Sequence, residues 1–182
     1  KEAHTLKVND NLTIEDWKNG DLGIKLTTGH DIAFVIDVSG SMDDDMIAVV
    51  NEASRITNAR FSSTETAKDN RVAIAAYETN TTILQSFTNQ DTVAGKVAAF
   101  NQAVAQLPGM VGGGTENVYH AIYDVLKGRA GQWREDATSS TIFVIGDEPG
   151  DDQAMASQVM ALAKNLGFDT GNLSNFSTRS MN

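Results

Sequence analysis

The sequence predicts an α/β fold, built as a doubly wound, mostly parallel sheet with an antiparallel edge strand and helices on both faces. Two observations lead to this prediction. Short apolar runs of strand length alternate along the chain with longer stretches in which apolar residues recur at helical spacing. Two of the short runs are continuous and rich in β-branched residues, which is typical of central parallel strands covered on both faces.

Four segments are predicted to be strands. The two continuous runs cover residues 31–37 and 141–145, and a third run covers residues 71–77. Residues 81–87 follow the third run after a short polar turn, so we expect them to form a hairpin with it at the edge of the sheet.

Four amphipathic stripes predict the helices, because their apolar residues recur three and four positions apart. The stripes cover residues 46–56, 93–104, 118–125 and 155–166. Pro108, Gly128 and Gly167 follow the last three stripes and are predicted to end those helices.

Two parts of the chain differ in character. Residues 1–29 are turn-rich and β-like, whereas residues 30–182 hold the alternating strands and helices. The polar stretch after Gly167 has no apolar run, although a domain of this kind normally continues with another strand. We therefore expect the 30–182 domain to be truncated before its last strand and helix. The chain starts at Lys1 without an apolar leader and is predicted to be a piece of a longer protein.

Composition excludes several classes of function. The chain has 182 residues, the size of one domain, with 14 Lys and Arg against 24 Asp and Glu and a net charge of -10. A surface this acidic repels phosphate backbones and anionic lipids, so nucleic acid is an unfavourable partner. No apolar run in the sequence approaches the roughly 20 residues of a membrane span, which argues against membrane insertion. The absence of Cys excludes thiol catalysis and thiolate metal sites.

Oxygen-bearing side chains follow the ends of the predicted strands and the loop before the third helix. In an open α/β sheet, ligands bind beyond the carboxyl ends of the strands, so these side chains are the candidate site. With no His, Cys or Lys among them, they favour a hard divalent cation, Mg²⁺, Mn²⁺ or Ca²⁺. They are, in chain order, Asp37, Ser39, Ser41, Thr115 and Asp147.

A simpler interpretation exists for two of these residues. Ser39 and Ser41 precede the first predicted helix, where a hydroxyl often caps free backbone N–H groups. On that interpretation the residues at 43–45, all Asp, lie on the first helical turn and are stabilised by its dipole. Asp151 and Asp152 are interpreted in a similar way, as caps of the last helix.

Three separated motifs together resemble the metal-ion-dependent adhesion site (MIDAS) of von Willebrand factor A domains. Asp37, Ser39 and Ser41 form an Asp-x-Ser-x-Ser stretch after an apolar strand. Three glycines at 112–114 precede Thr115, and an Asp follows a later strand, in the order that the family has. The resemblance covers about residues 30–168. Most members of the family carry Thr-Asp-Gly at the last motif, where this chain has Gly-Asp-Glu-Pro at 146–149.

The resemblance implies a role for each residue of the motifs. It implies direct metal ligation by Ser39, Ser41 and Thr115, with Asp37 and Asp147 bonding mainly through water. It also implies a vacant metal position that a carboxylate of the partner fills. Three further residues are expected to line the surface that meets this partner: Gly113, Gly114 and Glu148.

The segment at residues 9–26 is similar to segments found beside calcium-binding repeats in bacterial RTX secreted proteins, although the GGxGxD nonapeptide is absent. This resemblance implies a large RTX adhesin or toxin-like protein, exported by a type I system and therefore secreted or held at the cell surface.

The function predicted from the sequence is a non-enzymatic, divalent-metal-dependent adhesion module. Two alternatives stay open. One is a Mg²⁺-dependent phosphatase of the haloacid-dehalogenase type, which needs a second Asp as general acid where this chain has Ser39. The other is a structural spacer in which the metal serves only stability.

Overall fold

The computed structural model describes residues 29–62, 67–146 and 150–169. The leader predicted at residues 1–29 lies outside this part of the chain except for Gly29. Asp147, Glu148 and the residues after 169 lie outside it too. The expectations for those segments therefore stay predictions.

Within the described residues, four strands form one sheet in the order β3-β2-β1-β4. β1 pairs in parallel with both β2 and β4, and β3 pairs antiparallel with β2. This arrangement confirms the predicted fold class. The strands are β1 (His30–Asp37), β2 (Arg71–Tyr77), β3 (Thr81–Gln85) and β4 (Ser139–Ile145).

Helices cover both faces of the sheet. The first three pack on the face that carries Ile32, Phe34 and Ile36, and the last two pack on the face that carries Ala33 and Val35. Because both faces of β1 are buried, its sequence is a continuous apolar run rather than an alternating one. The helices are α1 (Met46–Phe61), α2 (Val93–Val104), α3 (Leu107–Met110), α4 (Val118–Leu126) and α5 (Ala156–Asn165).

The structure corrects several predicted boundaries. β3 ends at Gln85 rather than at residue 87, and β4 begins at Ser139, two residues earlier than predicted. α2 ends at Val104, and Pro108 lies inside the one-turn helix α3 instead of ending a helix. Proline is tolerated there because the amides of a first helical turn have no partner within the helix.

A buried ion cluster closes the end of the sheet where β1 begins. Asp31 is fully buried, and its carboxylate accepts hydrogen bonds from Nε and Nη2 of Arg71 at 2.8 and 2.7 Å. The same carboxylate accepts bonds from Nε and Nη2 of Arg134 at 2.9 and 2.7 Å. Burial acts to raise the pKa of Asp31, but the bonds from Arg71 and Arg134 outweigh it and hold that pKa below its usual value.

No helix within the described ranges is both long enough and apolar enough to cross a membrane.

Candidate metal and ligand site

The carboxyl end of β1 carries the first three predicted site residues. Asp37 is fully buried, and its Oδ1 accepts a hydrogen bond from the backbone N–H of Ser39 at 2.8 Å. The hydroxyl of Ser39 lies 3.2 Å from that of Ser41. Ser39 is buried and Ser41 is exposed, so the stretch leads from a buried carboxylate to a hydroxyl at the surface.

The helix-capping interpretation of these serines is wrong. Among the described residues, the side chain of Ser39 makes no capping bond to the short 3₁₀ turn Gly40–Met42 that it precedes. α1 begins only at Met46, with Asp45 at its N-cap, so the acidic residues 43–45 precede the helix instead of forming its first turn. Ser39 and Ser41 therefore direct their hydroxyls toward each other and not toward the helix amides.

The glycine-rich loop at 112–114 is fastened to the end of β1 by two backbone hydrogen bonds. The N–H of Gly40 donates to the carbonyl of Gly113 at 2.8 Å, and the N–H of Gly112 donates to the carbonyl of Val38 at 2.9 Å. Because these bonds link the two segments directly, the first and second predicted motifs form one surface.

Gly113 has to be a glycine in this loop. Its φ is +81°, a conformation that side chains disfavour, and a Cβ there would collide with the carboxylate of Glu78. Gly114 is different, because in the described part of the chain a Cβ added to it would meet no atom within 4 Å. Both glycines are exposed, and their predicted contact with a partner stays a prediction. The sequence interpretation missed Glu78, whose carboxylate lies beside this loop.

The end of β4 approaches the same point. A Cβ on the buried Gly146 would lie 2.9 Å from the hydroxyl of Tyr77 and 3.3 Å from Oδ2 of Asp37. The ends of three neighbouring strands thus meet at the buried carboxylate of Asp37. Asp147 is the next residue after Gly146, but it and Glu148 lie outside the described residues, so their roles stay predictions.

Thr115 is half-buried in a loop that is anchored on both sides. On one side is Gly113, bonded to Gly40. On the other is Glu116, whose N–H donates to Oδ2 of Asp151 and whose carbonyl accepts from the N–H of Asp151, each at 2.7 Å.

The predicted role of Asp152 as a cap of the last helix is wrong. Its Oδ1 accepts from the N–H of Tyr119 at 3.1 Å and its Oδ2 from the N–H of His120 at 2.7 Å, so it caps α4. A local sequence pattern does not reveal this, because Asp152 follows the two amides that it caps by more than thirty positions. Because these two amides donate to Asp152, they are not directed toward a partner.

The chemistry of these donors fits a hard divalent cation. Within residues 29–62, 67–146 and 150–169, no three His, Cys, Asp or Glu side chains lie close enough together to hold a metal ion. Among the described residues, the predicted site at the end of β1 brings the hydroxyls of Ser39 and Ser41 together with the buried carboxylate of Asp37. Hydroxyl, carboxylate and water oxygens suit Mg²⁺, Mn²⁺ or Ca²⁺ better than they suit metals that prefer nitrogen or sulfur.

The sequence model of the von Willebrand factor type A domain matches residues 31–170. The chain belongs to this family. Von Willebrand factor A domains are in general adhesion and ligand-binding modules rather than enzymes. None of the curated proteins is similar enough to this sequence to count as a relative.

Several solved structures share the fold. The vWF domain of the type V pili tip protein Mfa5 from Porphyromonas gingivalis has a TM-score of 0.54 at 17% identity, covering 69% of this chain and 40% of that one. Proximal thread matrix protein 1 from the mussel byssus, in a form with a zinc-occupied MIDAS motif, has a TM-score of 0.58 at 11% identity. The alignment covers 80% of this chain and 38% of the mussel chain.

A third structure, the D319A mutant of the PilB minor pilin from Streptococcus sanguinis, has a TM-score of 0.52 at 14% identity, covering 72% of this chain and 34% of that one. At these identities the likeness concerns the fold. This chain spans about two fifths or less of each of the three proteins.

Proposed function

We propose that this von Willebrand factor A domain is a divalent-metal-dependent adhesion module that captures a partner through a carboxylate. Three hydroxyls would bind the metal directly, and two carboxylates would act mainly through water. Mg²⁺ is the favoured ion, with Mn²⁺ or Ca²⁺ as substitutes. The residues are, in that order, Ser39, Ser41, Thr115, Asp37 and Asp147.

One observation carries the proposal. The hydroxyls of Ser39 and Ser41 lie 3.2 Å apart at the end of β1, and they neighbour the fully buried carboxylate of Asp37. Hydroxyl and carboxylate oxygens grouped in this way are ligands that a hard divalent cation prefers. The bond from the Ser39 amide orients this carboxylate toward the same loop, which supports a cation site there.

The balance of charge favours an acidic partner. Asp37 and Asp147 together would only offset the two positive charges of the ion, and the hydroxyl ligands are neutral. When bound, Mg²⁺ supplies an electrophilic centre that favours a further oxygen ligand of negative charge. Gly113 and Gly114 are exposed beside this position and leave room for the partner, and Glu148 would line the same surface.

A carboxylate that binds at the open position should displace metal-bound water. With the domain loaded with Mn²⁺, we expect the relaxation rate of water protons to fall when a blocked peptide with one glutamate is added. The matched control is the same peptide with glutamine in place of glutamate, which should leave the relaxation rate unchanged. Equal effects of the two peptides would mean that the carboxylate is not the recognised group, and would favour a structural spacer.

Phosphatase activity should be absent. A phosphatase of the haloacid-dehalogenase type needs a general acid two residues after its nucleophile, and here Ser39 occupies that position with its hydroxyl beside Ser41. We expect the release of phosphate from a panel of phosphomonoesters with Mg²⁺ to stay at the no-enzyme background. Turnover that Asp37→Asn abolishes would overturn the adhesion proposal.

The proposed setting is a large bacterial RTX adhesin or toxin-like protein, secreted or held at the cell surface. The support is the resemblance of residues 9–26 to RTX-associated segments, together with the surface or matrix location that the names of the pilus and byssus neighbours indicate for those proteins. A strain that lacks type I export tests this setting. In that strain we expect the protein to be lost from the culture medium and the cell surface.

A further inference from the structure

Two acidic residues after β4 are bonded to the segment that follows Thr115. Oδ2 of Asp151 accepts from the N–H of Glu116, and the N–H of Asp151 donates to the carbonyl of Glu116, both at 2.7 Å. The two oxygens of Asp152 accept from the N–H groups of Tyr119 and His120 at 3.1 and 2.7 Å. We call Asp151 and Asp152 the acidic clamp.

The clamp is built for close contact between two segments that are distant in the sequence. A Cβ on Gly150 would collide with Val118 and would lie 3.0 Å from the carbonyl oxygen of Glu116. The segment that carries the clamp therefore needs glycine at this position to reach the start of α4. Asn117, the residue before α4, donates from its side chain to the carbonyl of Thr79 at 3.0 Å, so the clamp supplies the cap that Asn117 does not.

Thr115 lies between two fixed points because of this contact. Gly113 is bonded to the Gly40 amide on one side, and Glu116 is bonded to Asp151 on the other. A ligand held in this way loses less conformational freedom when it binds a metal than a ligand on a free loop does.

The geometry points to Asp151 and Asp152 as positioning residues of the metal site, which hold the Thr115 loop in place against the end of β1 before the metal binds. This inference rests on the proposed function. It assigns to the clamp an effect on metal affinity, whereas a simple helix cap would affect stability alone.

The test compares two double variants that lack the same two negative charges. Asp151→Asn with Asp152→Asn keeps one oxygen acceptor at each position, and Asp151→Ala with Asp152→Ala keeps none. Both double variants lose the same charge. A difference in their affinity for Mn²⁺ therefore measures the effect of the hydrogen bonds that the Asn pair can still accept. We expect the Ala pair to bind Mn²⁺ about 10-fold more weakly than the Asn pair in calorimetry, within the range known for groups that orient metal ligands.

Two further measurements separate positioning from stability. Thr92→Ala removes the hydroxyl that caps α2 through the Gly95 amide at 3.0 Å, so it should lower the Tm without changing the affinity for Mn²⁺. In the metal-free protein, amide exchange at Glu116, Tyr119 and His120 should be about 10-fold faster in the Ala pair than in the Asn pair. If the Ala pair does not fold, Asp151→Ala against Asp151→Asn makes the same comparison, with an expected difference of about threefold in affinity.

Equal affinities of the Ala and Asn pairs for Mn²⁺, with faster amide exchange in the Ala pair, would overturn the inference and leave the clamp as a helix cap. If the wild-type protein binds neither Mg²⁺ nor Mn²⁺, the proposed function fails and the inference fails with it. The two failures are distinguishable, because the wild-type protein loses metal binding only if the proposed function is wrong. If the inference alone is wrong, the wild type still binds the metal.

Discussion

Replacing both Ser39 and Ser41 by alanine should lower the affinity for Mg²⁺ and Mn²⁺ about 100-fold or more. The expectation follows from the position of the two hydroxyls, which lie 3.2 Å apart beside the buried carboxylate of Asp37. Loss of groups that only orient metal ligands costs about 10- to 100-fold in affinity, so loss of two direct ligands should cost at least the upper value. Isothermal titration calorimetry on the metal-free domain measures this change.

A matched serine variant controls for general effects of the substitution. Ser62 follows the far end of α1, and its hydroxyl donates to the carbonyl of Asn58 at 2.7 Å, so Ser62→Ala should keep the wild-type affinity. The Ser39/Ser41 double variant should stay folded, because it removes one hydrogen bond between side chains, worth about 1 kcal/mol. A folded double variant with unchanged affinity would show that the metal does not bind at the end of β1.

The sheet was predictable because of how its strands are buried. A strand covered on both faces is typically a near-continuous apolar run, and β1 has this pattern from Ile32 to Ile36. The strand boundaries were less predictable, since Ser139 and Ser140 at the start of β4 are polar residues that are buried by their neighbours in the fold. α3 escaped prediction because Pro108 can either end one helix or begin another.

The candidate site was predictable only where its residues are close in sequence. Asp37, Ser39 and Ser41 lie on one loop, and glycine marks the neighbouring loop at 112–114. The acidic clamp joins α4 to residues more than thirty positions away, and helix-capping patterns are local. Glu78 reaches the site through its contact with Gly113, which no spacing in the sequence indicates.

The ion cluster at the opposite end of the sheet is the clearest case of structure that sequence patterns do not reveal. Asp31 begins an apolar run, where a charged residue suggests the solvent-exposed edge of a strand. Instead it is fully buried and bonded to Arg71 and Arg134, which lie 40 and 103 positions away in the sequence. The bonds from Arg134 hold the loop before β4 against the start of β1.

This cluster predicts a large effect on stability. Asp31→Asn leaves Arg71 and Arg134 beside each other without the charge that both contact, and their side chains are only 22% and 26% exposed. Removing one partner of a buried ion pair costs about 3–5 kcal/mol, and partial exposure of the two arginines places this case near about 3 kcal/mol. Urea unfolding measures the loss. Asp124→Asn, which breaks the more exposed pair with Arg129, is the control and should cost less than about 1 kcal/mol.

The pH dependence of the stability that Asp31→Asn removes shows whether the charge of Asp31 is its cause. Because the pKa of Asp31 is lowered in the folded state, its stabilisation is fully present above the pKa of an unfolded aspartate, about 3.9, and is lost as the pH falls through the lower folded value. The difference in unfolding free energy between the wild type and Asp31→Asn should therefore be constant near neutral pH and shrink below about pH 4. A difference that stays the same down to pH 3 would mean that Asp31 stabilises the fold by packing or by neutral hydrogen bonds, and not by its charge.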